Sequence, residues 1–567
     1  MDKKSIIIVV ALAVVVIFYW PIMTKLGFVD EPQPPAQTQP QDNQTTQLPE
    51  QVSTPIVADQ PTDYQVVELA QNAGSEIDTA KVDTLVIETG KYTVKMSSLG
   101  GGPVSIEMKD YTYRDGRPIQ MLPNLTRVTP EVTFQGGTFT TSHEHFACDR
   151  PAGVYDATRE PLEVVYTHIG EAGGTITRTY TFYPDRHSFD FKFDVDNPSV
   201  FGFDREYKLM WNTPLEPTEP NIKDDWKAMQ AAAVMAGSRE ALDDFDDGKL
   251  RQSLTGRTAW AGVRSKYFSA VLIPRSREAD GAIALGSEDD ISTADGLMEE
   301  RRITAGLEMM FATVNPISDS FTVFVGPLDY MEMREYDVAL EDMLDIGTSL
   351  IGKLIYPFAF AVLWLLPKLY SFLPNYGLVI ILFAFMVKIV TLPLSMKQFK
   401  SMQAMKELQP RIDDLKKRHK KDPQKLNKET MKLYKDQGVS PLSGCLPMLP
   451  QMPLFFAMFS VFRSTILLRD APFFWFIDDL SRGATGLTDP YIILVLLMIA
   501  SQFISQKITM PANQQNKMLG YMMPLFMGFI FYSFAAGLVL YWTAFSIMAM
   551  LDYALFKRPK NPEVKTV

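Results

Sequence analysis

The sequence predicts a polytopic α-helical membrane protein with six spans, five of which form a helical core, and with a large extracytoplasmic β-sandwich domain. Three observations support this fold class. Uncharged apolar runs recur along the 567-residue chain, β-type alternation fills a long segment after the first run, and charge is divided between these parts. Residues 31–345 carry a net charge of −25, whereas the rest of the chain carries +14. The sequence therefore places an acidic soluble domain within a basic membrane protein.

The predicted spans follow the apolar runs. Residues 6–23 form an uncharged run of 18 residues, near the length that a helix needs to cross hydrocarbon. The run at 518–551 holds 34 residues, which is too long for one crossing at about 1.5 Å per residue. We therefore expect two spans there, joined by a turn around Ala535, Ala536 and Gly537. The other three spans are predicted within 376–396, 441–462 and 490–506.

Basic residues predict the orientation of these spans, because cytoplasmic loops carry an excess of Lys and Arg. Lys3 and Lys4 place the N-terminus in the cytoplasm, so the domain after the first span lies outside. Loops 397–440 and 506–517 then fall inside with net charges of +7 and +2, and loop 469–489 falls outside with −2. The charges of all three loops agree with one topology, in which both termini are cytoplasmic.

Three regions are predicted before residue 346. Residues 1–29 are an N-terminal signal-anchor span, since no small-residue cleavage site or lipobox cysteine follows the apolar run, as a cleaved signal peptide would require. Residues 30–62 are rich in Pro, Gln and Thr and predict a flexible linker. Residues 63–345 alternate apolar and polar residues, as in TITRTYTF, and predict the periplasmic β-sandwich. The HEH at 143–145 has no evident third ligand, so we expect no metal there.

Residues 346–375 are predicted to form an interfacial amphipathic helix. Their apolar run, 354–367, has only 14 residues and is bracketed by Lys353 and Lys368. That length is short for a crossing and suits a helix lying along the membrane surface. Counting the run as a span would also reverse the charged loops.

The core is predicted over 376–556 and is followed by a short basic cytoplasmic tail, 557–567. Within the core, residues 397–440 predict a cytoplasmic helical hairpin divided by Pro410 and Pro423. The hairpin has two compatible interpretations: a positive-inside anchor that meets anionic lipids, or a docking surface for a ribosome or nascent chain. The basic residues assigned to docking are Arg411, Lys416, Lys417, Arg418, Lys420 and Lys421.

Lys388 lies in the stretch FMVKIVTLPL (385–394), within an otherwise uncharged run. A charged side chain at membrane depth costs about 2.5–3.5 kcal/mol on insertion scales, so it is usually retained for a use. A long lysine near the cytoplasmic third of its helix could instead extend to the lipid headgroups without any function. The residues alone leave both interpretations open.

Several segments together resemble the YidC/Oxa/Alb family of membrane protein insertases, most closely its Gram-negative YidC members. In the core these segments begin with NYGLVIILFAFMVKIVTLPL and continue with YKDQGVSPLSGCLPMLPQMPLFFAMF, LRDAPFFWFIDDLS, DPYIILVLLM and AAGLVLYW. The outside domain matches more weakly, through GRTAWAGVRSKYFSAVLIP and FTVFVGPL. The strong resemblance covers residues 375–556.

The resemblance implies a five-helix insertase core around a hydrophilic groove that is open to cytoplasm and lipid and closed toward the outside. It implies that Lys388 takes the place of the groove's basic residue and attracts acidic or polar residues of an entering chain. Gln451, Tyr541 and Trp542 would also lie near the groove. From the residues alone, Gln451 could instead form an interhelical hydrogen bond, and the two aromatic residues could belong to an interfacial belt.

Two positions depart from the family pattern. The usual residue at 388 is arginine, and lysine lacks the planar bidentate fork of a guanidinium group. Attraction of a carboxylate should survive this change, whereas a bidentate contact would not. Ala384 stands one turn earlier, where a polar residue is often found, so we expect a less hydrated groove wall.

The implied function is that of an insertase and membrane-protein chaperone without catalytic residues, cofactor or metal. Its implied partners are nascent membrane proteins, the ribosome–nascent chain complex, the Sec translocon and anionic lipids, with no nucleic-acid specificity. The main alternative is a small-molecule or ion transporter with Lys388 in its substrate site, which predicts internal repeats that we do not find in the sequence. An intramembrane enzyme would need a partner motif for Lys388, and an envelope scaffold would not explain the lysine.

Overall fold

A computed structural model of the protein describes most of the chain after residue 81. The described ranges are 82–123, 127–134, 139–171, 173–201, 205–293, 296–311, 316–346, 350–420, 422–437, 448–486, 488–509 and 514–556. Apart from 514–519, these residues belong to one compact unit. The predicted signal anchor, linker and basic tail lie outside the described residues, as do Lys421 and Cys445.

Twenty strands, numbered here in chain order, are formed by the described residues between 84 and 327. They are β1 (Thr84–Glu88), β2 (Tyr92–Ser97), β3 (Gly102–Thr112), β4 (Pro118–Leu122), β5 (Glu131–Phe134), β6 (Phe139–Thr140), β7 (Ala147–Cys148), β8 (Gly153–Asp156), β9 (Leu162–Ile169), β10 (Thr175–Phe182), β11 (Ser188–Asp196), β12 (Glu206–Trp211), β13 (Gln230–Met235), β14 (Ser238–Leu242), β15 (Phe245–Asp246), β16 (Lys249–Arg264), β17 (Phe268–Pro274), β18 (Ala279–Thr293), β19 (Gly296–Met310) and β20 (Ile317–Pro327).

The strands form a large β-sandwich, in agreement with the predicted domain. A five-stranded sheet has the order β4-β3-β2-β1-β8, and a larger sheet has the main order β6-β5-β12-β19-β18-β16-β17-β20-β11-β10-β9-β7, with β13, β14 and β15 attached beside β16. The pairing of β1 with β8 is parallel, and β10 and β11 form an antiparallel hairpin that runs from Thr175 opposite Asp196 to Phe182 opposite Phe189. Apolar side chains from both sheets meet in one hydrophobic core.

The alternation of apolar and polar residues in the sequence matches the burial pattern of β10 and β11. In β10, every second residue is buried, beginning with Ile176 and ending with Phe182. In β11, Phe189, Phe191 and Phe193 are likewise buried at every second position. Since successive strand side chains point to opposite faces, this spacing buries one face of the hairpin and leaves the polar residues between them nearer to solvent.

Nine α-helices are described, in part within the β domain and mostly after it. They are α1 (Ile222–Ala228), α2 (Tyr330–Met333), α3 (Leu350–Phe372), α4 (Tyr376–Arg418), α5 (Pro423–Asp436), α6 (Met448–Ser464), α7 (Ile492–Thr509), α8 (Gln514–Phe531) and α9 (Ala536–Phe556). Helices α4, α6, α7, α8 and α9 lie where the five core spans are predicted.

By length and composition, two described helical segments could each cross a membrane, Gly352–Phe372 and Tyr376–Met396. The apolar parts of α7, α8 and α9 are shorter, at Ile492–Lys507, Met522–Phe531 and Ala536–Leu551. The count of six spans therefore remains a prediction.

Helix α3 is longer than the 14-residue run suggested. It has 23 residues because the helix continues past Lys353 and Lys368 at either end of the run. Ala359, Leu363 and Leu366 are buried on one stripe at helical spacing, and α3 packs against α6. The helix lies within the predicted range 346–375, but its length does not exclude a crossing, so the interfacial position of α3 remains a prediction.

Helix α4 joins the first core span to the cytoplasmic hairpin without a break. Its 43 residues include both Pro393 and Pro410, so the prediction that Pro410 divides the hairpin is wrong. A proline inside a helix removes one backbone hydrogen bond. A long helix can continue past that position, with a kink there. Pro423 does divide the hairpin: it starts α5, where Asp422 caps the helix by accepting a hydrogen bond from the Lys425 amide at 3.0 Å.

The long apolar run at the end of the chain forms two helices, as predicted. The turn occupies residues 532–535, slightly before the predicted position, because Ala536 and Gly537 already belong to α9. Gly537 sits close to Leu480 and Ile380, so little space is available beside it. The turn is thus set by packing at the start of α9 as well as by local sequence.

Candidate functional site

Lys388 lies on α4, twelve residues after the helix begins, or about 18 Å along its axis at 1.5 Å per residue. Its side chain is buried, with 6% of the residue exposed. The Nζ atom stands over the ring of Phe545 on α9, 4.9 Å from the ring centroid. A cation over an aromatic face gains roughly 0.5–2 kcal/mol, depending on how far the pair is desolvated. The lysine is therefore turned toward the neighbouring helix.

Tyr541 lies one turn before Phe545 on the same face of α9. It is buried, and its ring contacts Phe545 and Phe383, with centroids 6.0 and 6.1 Å apart respectively. Its hydroxyl has no hydrogen-bond partner among the described residues. Lys388 and Tyr541 therefore meet around one aromatic ring, next to a buried polar atom that a further donor or acceptor could satisfy.

Trp542 faces a different set of residues. Its ring makes an edge contact with Phe455 on α6 at 5.4 Å, and it also contacts Phe531 on α8 at 5.6 Å. Gln451 lies on α6, one turn before Phe455, and is half-buried. Helical spacing thus places Gln451 and Phe455 on the same side of α6. Lys388 and Tyr541 thus share a contact with Phe545, whereas Trp542 contacts Phe455, which lies on the same side of α6 as Gln451.

Phe545 links the first group and was not among the residues predicted from the sequence. Its spacing of four residues from Tyr541 was a usable signal, because such residues share a helix face. The pairing with Lys388 had no local signal, since it depends on how α4 packs against α9.

The described core helices also bury polar side chains that the sequence argument did not use. Ala384, one turn before Lys388, is buried and apolar, as the sequence indicates. The buried polar residues of the core helices besides Lys388 are Ser395, Ser501, Gln502, Thr543 and Ser546. The hydroxyl groups of Ser395, Ser501 and Thr543 donate to main-chain carbonyls one turn earlier in their own helices. These hydroxyl groups are thus satisfied locally and do not require water.

The basic residues at the end of α4 are exposed. Lys416 and Lys417 form ion pairs one turn back, with Asp413 at 3.5 Å and Asp414 at 3.9 Å. Exposed pairs of this kind contribute about 0.5 kcal/mol or less and leave the side chains available to a larger anionic surface. The other described members of the predicted docking set, Arg411, Arg418 and Lys420, are also exposed.

Among the described residues, no group of three or more His, Cys, Asp or Glu side chains is arranged to hold a metal ion. His145 and Glu144 instead belong to local contacts in the β domain: the His145 carbonyl lies 2.9 Å from His168 Nδ1, and Glu144 lies 3.6 Å from His168 Nε2.

Two family models match the chain in order. The model described as YidC periplasmic domain matches residues 84–357, and the model described as 60Kd inner membrane protein matches residues 368–563. The first match ends at 357 and the second begins at 368, both within α3, so the change from one domain to the other falls inside a continuous helix.

Curated relatives extend this likeness over most of the chain. The membrane protein insertase YidC of Chlorobaculum parvum is 31% identical over 516 residues, which cover 88% of this chain and 86% of the relative. The YidC of Chlorobaculum tepidum is 33% identical over 517 residues, with coverage of 88% and 85%. A crystal structure of an active YidC insertase with its first transmembrane domain resolved covers 84% of this chain and 94% of its own, at 18% identity and a TM-score of 0.36, a likeness too weak to carry an argument.

Proposed function

We propose, from the premise that this chain belongs to the YidC family of membrane protein insertases, that Lys388 attracts the polar flank of an entering membrane segment. Members of this family are inner-membrane proteins with a periplasmic domain; they handle nascent membrane proteins and are not enzymes. In our proposal, the segment enters a groove that is open to the cytoplasm, its short polar flank moves toward Lys388, and its apolar part leaves sideways into lipid.

The observation that carries this proposal is the inward position of Lys388. A lysine that only extends to the headgroups should expose its ammonium group at the end of the helix, whereas Lys388 is 6% exposed and its Nζ faces Phe545. The contact with the ring is worth at most about 2 kcal/mol. An entering carboxylate at about 4 Å gains roughly 1–4 kcal/mol, depending on local polarity, so it can compete with the ring for the ammonium group.

Apolar burial supplies the drive for release in this proposal. Each buried methylene contributes about 0.8 kcal/mol, so a hydrophobic segment gains more from lipid than it loses by leaving the groove. The exposed basic end of α4 is proposed as the cytoplasmic contact for the ribosome–nascent chain complex and for anionic lipids. Cooperation with the Sec translocon is part of the same proposal, since the protein could receive segments from it or work alone.

The test uses proteoliposomes that contain only this protein and a small client with a short acidic translocated segment. Protease-protected insertion is compared for wild type, Lys388→Arg, Lys388→Ala and Lys388→Glu. We expect Arg to support insertion and Glu to reduce it by on the order of tenfold or more, because attraction becomes repulsion at the same position. Lys353→Glu, on the exposed side of α3, is the control for a charge change elsewhere and should insert normally.

A second client separates charge attraction from general damage. If its acidic residues are replaced by Asn and Gln, insertion should lose most of its dependence on the charge at 388. Equal insertion of the acidic client by all four proteins would refute the attraction mechanism. Insertion no better than in empty liposomes would refute autonomous insertion and favour a role that depends on a partner.

A further inference from the structure

The described residues of the segment that joins α6 to α7, 465–486 and 488–491, cross one end of the helical bundle; we call them the end loop. It meets the start of α4, where the Asn375 side chain donates to the Pro472 carbonyl at 3.4 Å and the Phe473 ring packs directly on Gly377. It also meets the turn between α8 and α9, where the Ala484 amide donates to the Tyr532 carbonyl at 3.1 Å. The end loop therefore covers the end at which α4, α7 and α9 begin.

Two more hydrogen bonds attach the end loop to α9. The Gly537 amide donates to the Leu480 carbonyl and the Ala536 amide donates to the Arg482 carbonyl, each at 2.8 Å. The first amides of a helix have no partner within the helix. The end loop thus satisfies two of these groups on α9 and fixes its own position against the bundle.

The end loop is also ordered internally by charge. Arg482 pairs with Asp489 at 3.0 Å and its guanidinium group lies 4.1 Å from the Tyr491 ring centroid. Asp489 further accepts from the Thr485 amide and hydroxyl and from the Tyr491 amide, at 2.9–3.0 Å. Burial raises the pKa of Asp489, but these hydrogen bonds and Arg482 outweigh it and hold the pKa below its ordinary value. The charged carboxylate is therefore the form that orders the loop at neutral pH.

Arg469 connects this loop to the β domain. Its Nε donates to Glu219 at 2.6 Å and its Nη2 donates to the Thr112 carbonyl at 2.8 Å, while Nη1 pairs with Asp470. The side chains of Arg469 and Glu219 are 2% and 6% exposed. Ile466, three residues earlier, joins the hydrophobic core of the β domain. One buried guanidinium group thus holds both a carboxylate and a main-chain carbonyl across the junction.

A second ion pair crosses the junction beside the first. Arg114, in the turn between β3 and β4, pairs with Asp470 at 2.7 Å and also with Asp479 of the end loop. Asp479 is fully buried. The charges on the two sides of the junction are therefore matched at more than one point.

Glu219 is itself held in place by the β domain. Asp225 on α1 accepts hydrogen bonds from the amides of Thr218 at 2.6 Å, Glu219 at 3.1 Å and Lys266 at 3.0 Å. Burial raises the pKa of Asp225. Lys266 belongs to GRTAWAGVRSKYFSAVLIP and Arg469 to LRDAPFFWFIDDLS, two segments that the proposed insertion mechanism does not use. The junction gives these segments a common purpose.

We infer that the end loop is the outer seal of the helical bundle and that Arg469 is the positioning residue through which the periplasmic β domain holds this seal closed. The inference rests on the proposed groove, which must be closed on the periplasmic side if the membrane is to stay sealed while a segment enters. The β domain marks the periplasmic end of the bundle because it contacts the end loop. Its role in this inference is mechanical, since it anchors the loop that covers that end.

The chemistry of Arg469 explains why substitutions at this position should weaken the seal. Removing Arg469 leaves the buried Glu219 carboxylate without this cation, whereas removing both residues takes that buried charge away as well. Loss of Arg469 should therefore be worse than loss of Arg469 and Glu219 together. Lysine should not replace it fully, because its compact ammonium group lacks the spread fork with which Nε reaches Glu219 and Nη2 reaches the Thr112 carbonyl.

The test measures proton leak into proteoliposomes that contain the full-length protein and an entrapped pH-sensitive dye. The variants are Arg469→Ala, Glu219→Ala and the two combined, with Arg117→Ala as control, because Arg117 is an exposed β-domain arginine paired with Asp115. We expect Arg469→Ala to raise the leak about tenfold, which corresponds to ~1.4 kcal/mol of lost closure. The combined variant should leak less than Arg469→Ala.

Three results would overturn the inference: no difference between Arg469→Ala and Arg117→Ala, no effect of Glu219→Ala, or a combined variant that leaks as the sum of the two. If Arg469→Ala does not fold, Glu219→Ala carries the same test, since it leaves Arg469 with Thr112 and Asp470. Lys388→Glu should block insertion without raising the leak. The seal and the groove mechanism can thus fail separately.

Discussion

Two buried cations in this chain show how side-chain chemistry suits its setting. Arg178 in the β domain is fully buried and donates to the carbonyls of Gly100 at 2.8 Å and Pro130 at 2.6 Å, and to the Thr141 hydroxyl at 2.9 Å. Its planar fork is fixed by three acceptors. Lys388 instead has an ammonium group over an aromatic face, a weaker contact. The first arrangement suits a structural role, whereas the proposed function requires the second cation to take an anionic partner.

Replacing Arg178 with Met should therefore destabilise the protein. The change leaves the buried carbonyls of Gly100 and Pro130 without this donor, while the Thr141 hydroxyl still accepts from the Val132 amide, and we expect a loss of about 3 kcal/mol in the free energy of unfolding. Thermal unfolding of the detergent-purified protein would measure it as a lower Tm. Arg159→Met is the control, because Arg159 is exposed in the same domain. Equal Tm values for the two variants would contradict the assigned role.

At the scale of elements, close backbone packing fixes the end loop on the helical bundle. An added Cβ at Gly483 would stand 2.5 Å from the carbonyl oxygen of Ser533 and 2.6 Å from its carbonyl carbon. Both are main-chain atoms of the turn between α8 and α9, so a flexible side chain cannot yield to make space. At Gly486, in the same loop, nothing lies within 4 Å of the added Cβ.

We therefore expect Gly483→Ala to lower the free energy of unfolding by about 2 kcal/mol, as other overpacking changes do. Gly486→Ala should have little effect, or should stabilise slightly by restricting the unfolded chain. Neither glycine has a left-handed backbone, so the comparison isolates the contact with the turn. Thermal unfolding of both variants gives the measurement, and a Tm for Gly483→Ala at or above that of Gly486→Ala would argue against the close contact.

For the whole molecule, the division of charge predicts which parts face which side of the membrane. The acidic β domain should lie in the periplasm, as its family match indicates, and the basic end of α4 in the cytoplasm. Cys148 in β7 is half-buried in the β domain and offers a site-specific chemical test.

A membrane-impermeant maleimide should label Cys148 in spheroplasts and not in inside-out vesicles. Burial raises the pKa of the Cys148 thiol, so less thiolate is present at neutral pH and labelling should be slow there. Because thiolate is the reactive form, the rate should rise by about tenfold per pH unit below that pKa. The variant Cys148→Ser lacks this site, so any labelling that remains comes from Cys445. Labelling only in inside-out vesicles would reverse the proposed topology.

Much of the architecture could be predicted from residue patterns, because each pattern reports a local requirement. Alternation predicted β10 and β11, and the long terminal run predicted two helices, since burial on one face and helix length are read along the chain. Pro423 marked a helix start correctly. Pro410 did not mark a break, because the loss of one backbone hydrogen bond is not enough to end α4. The 14-residue apolar run likewise did not report the full length of α3, since the helix continues through the lysines at both ends of the run.

The candidate site was likewise only partly predictable from the sequence. The sequence by itself determined that an isolated lysine stands within a long uncharged apolar run at position 388, that aromatic residues lie in the last apolar run, and that an acidic domain is joined to a basic helical core. Only the tertiary structure decided that Lys388 faces Phe545 and that Arg469 binds Glu219, 250 residues away along the chain. The physical reason is that composition and periodicity act over a few residues, whereas a partner across a junction is chosen by packing of distant elements.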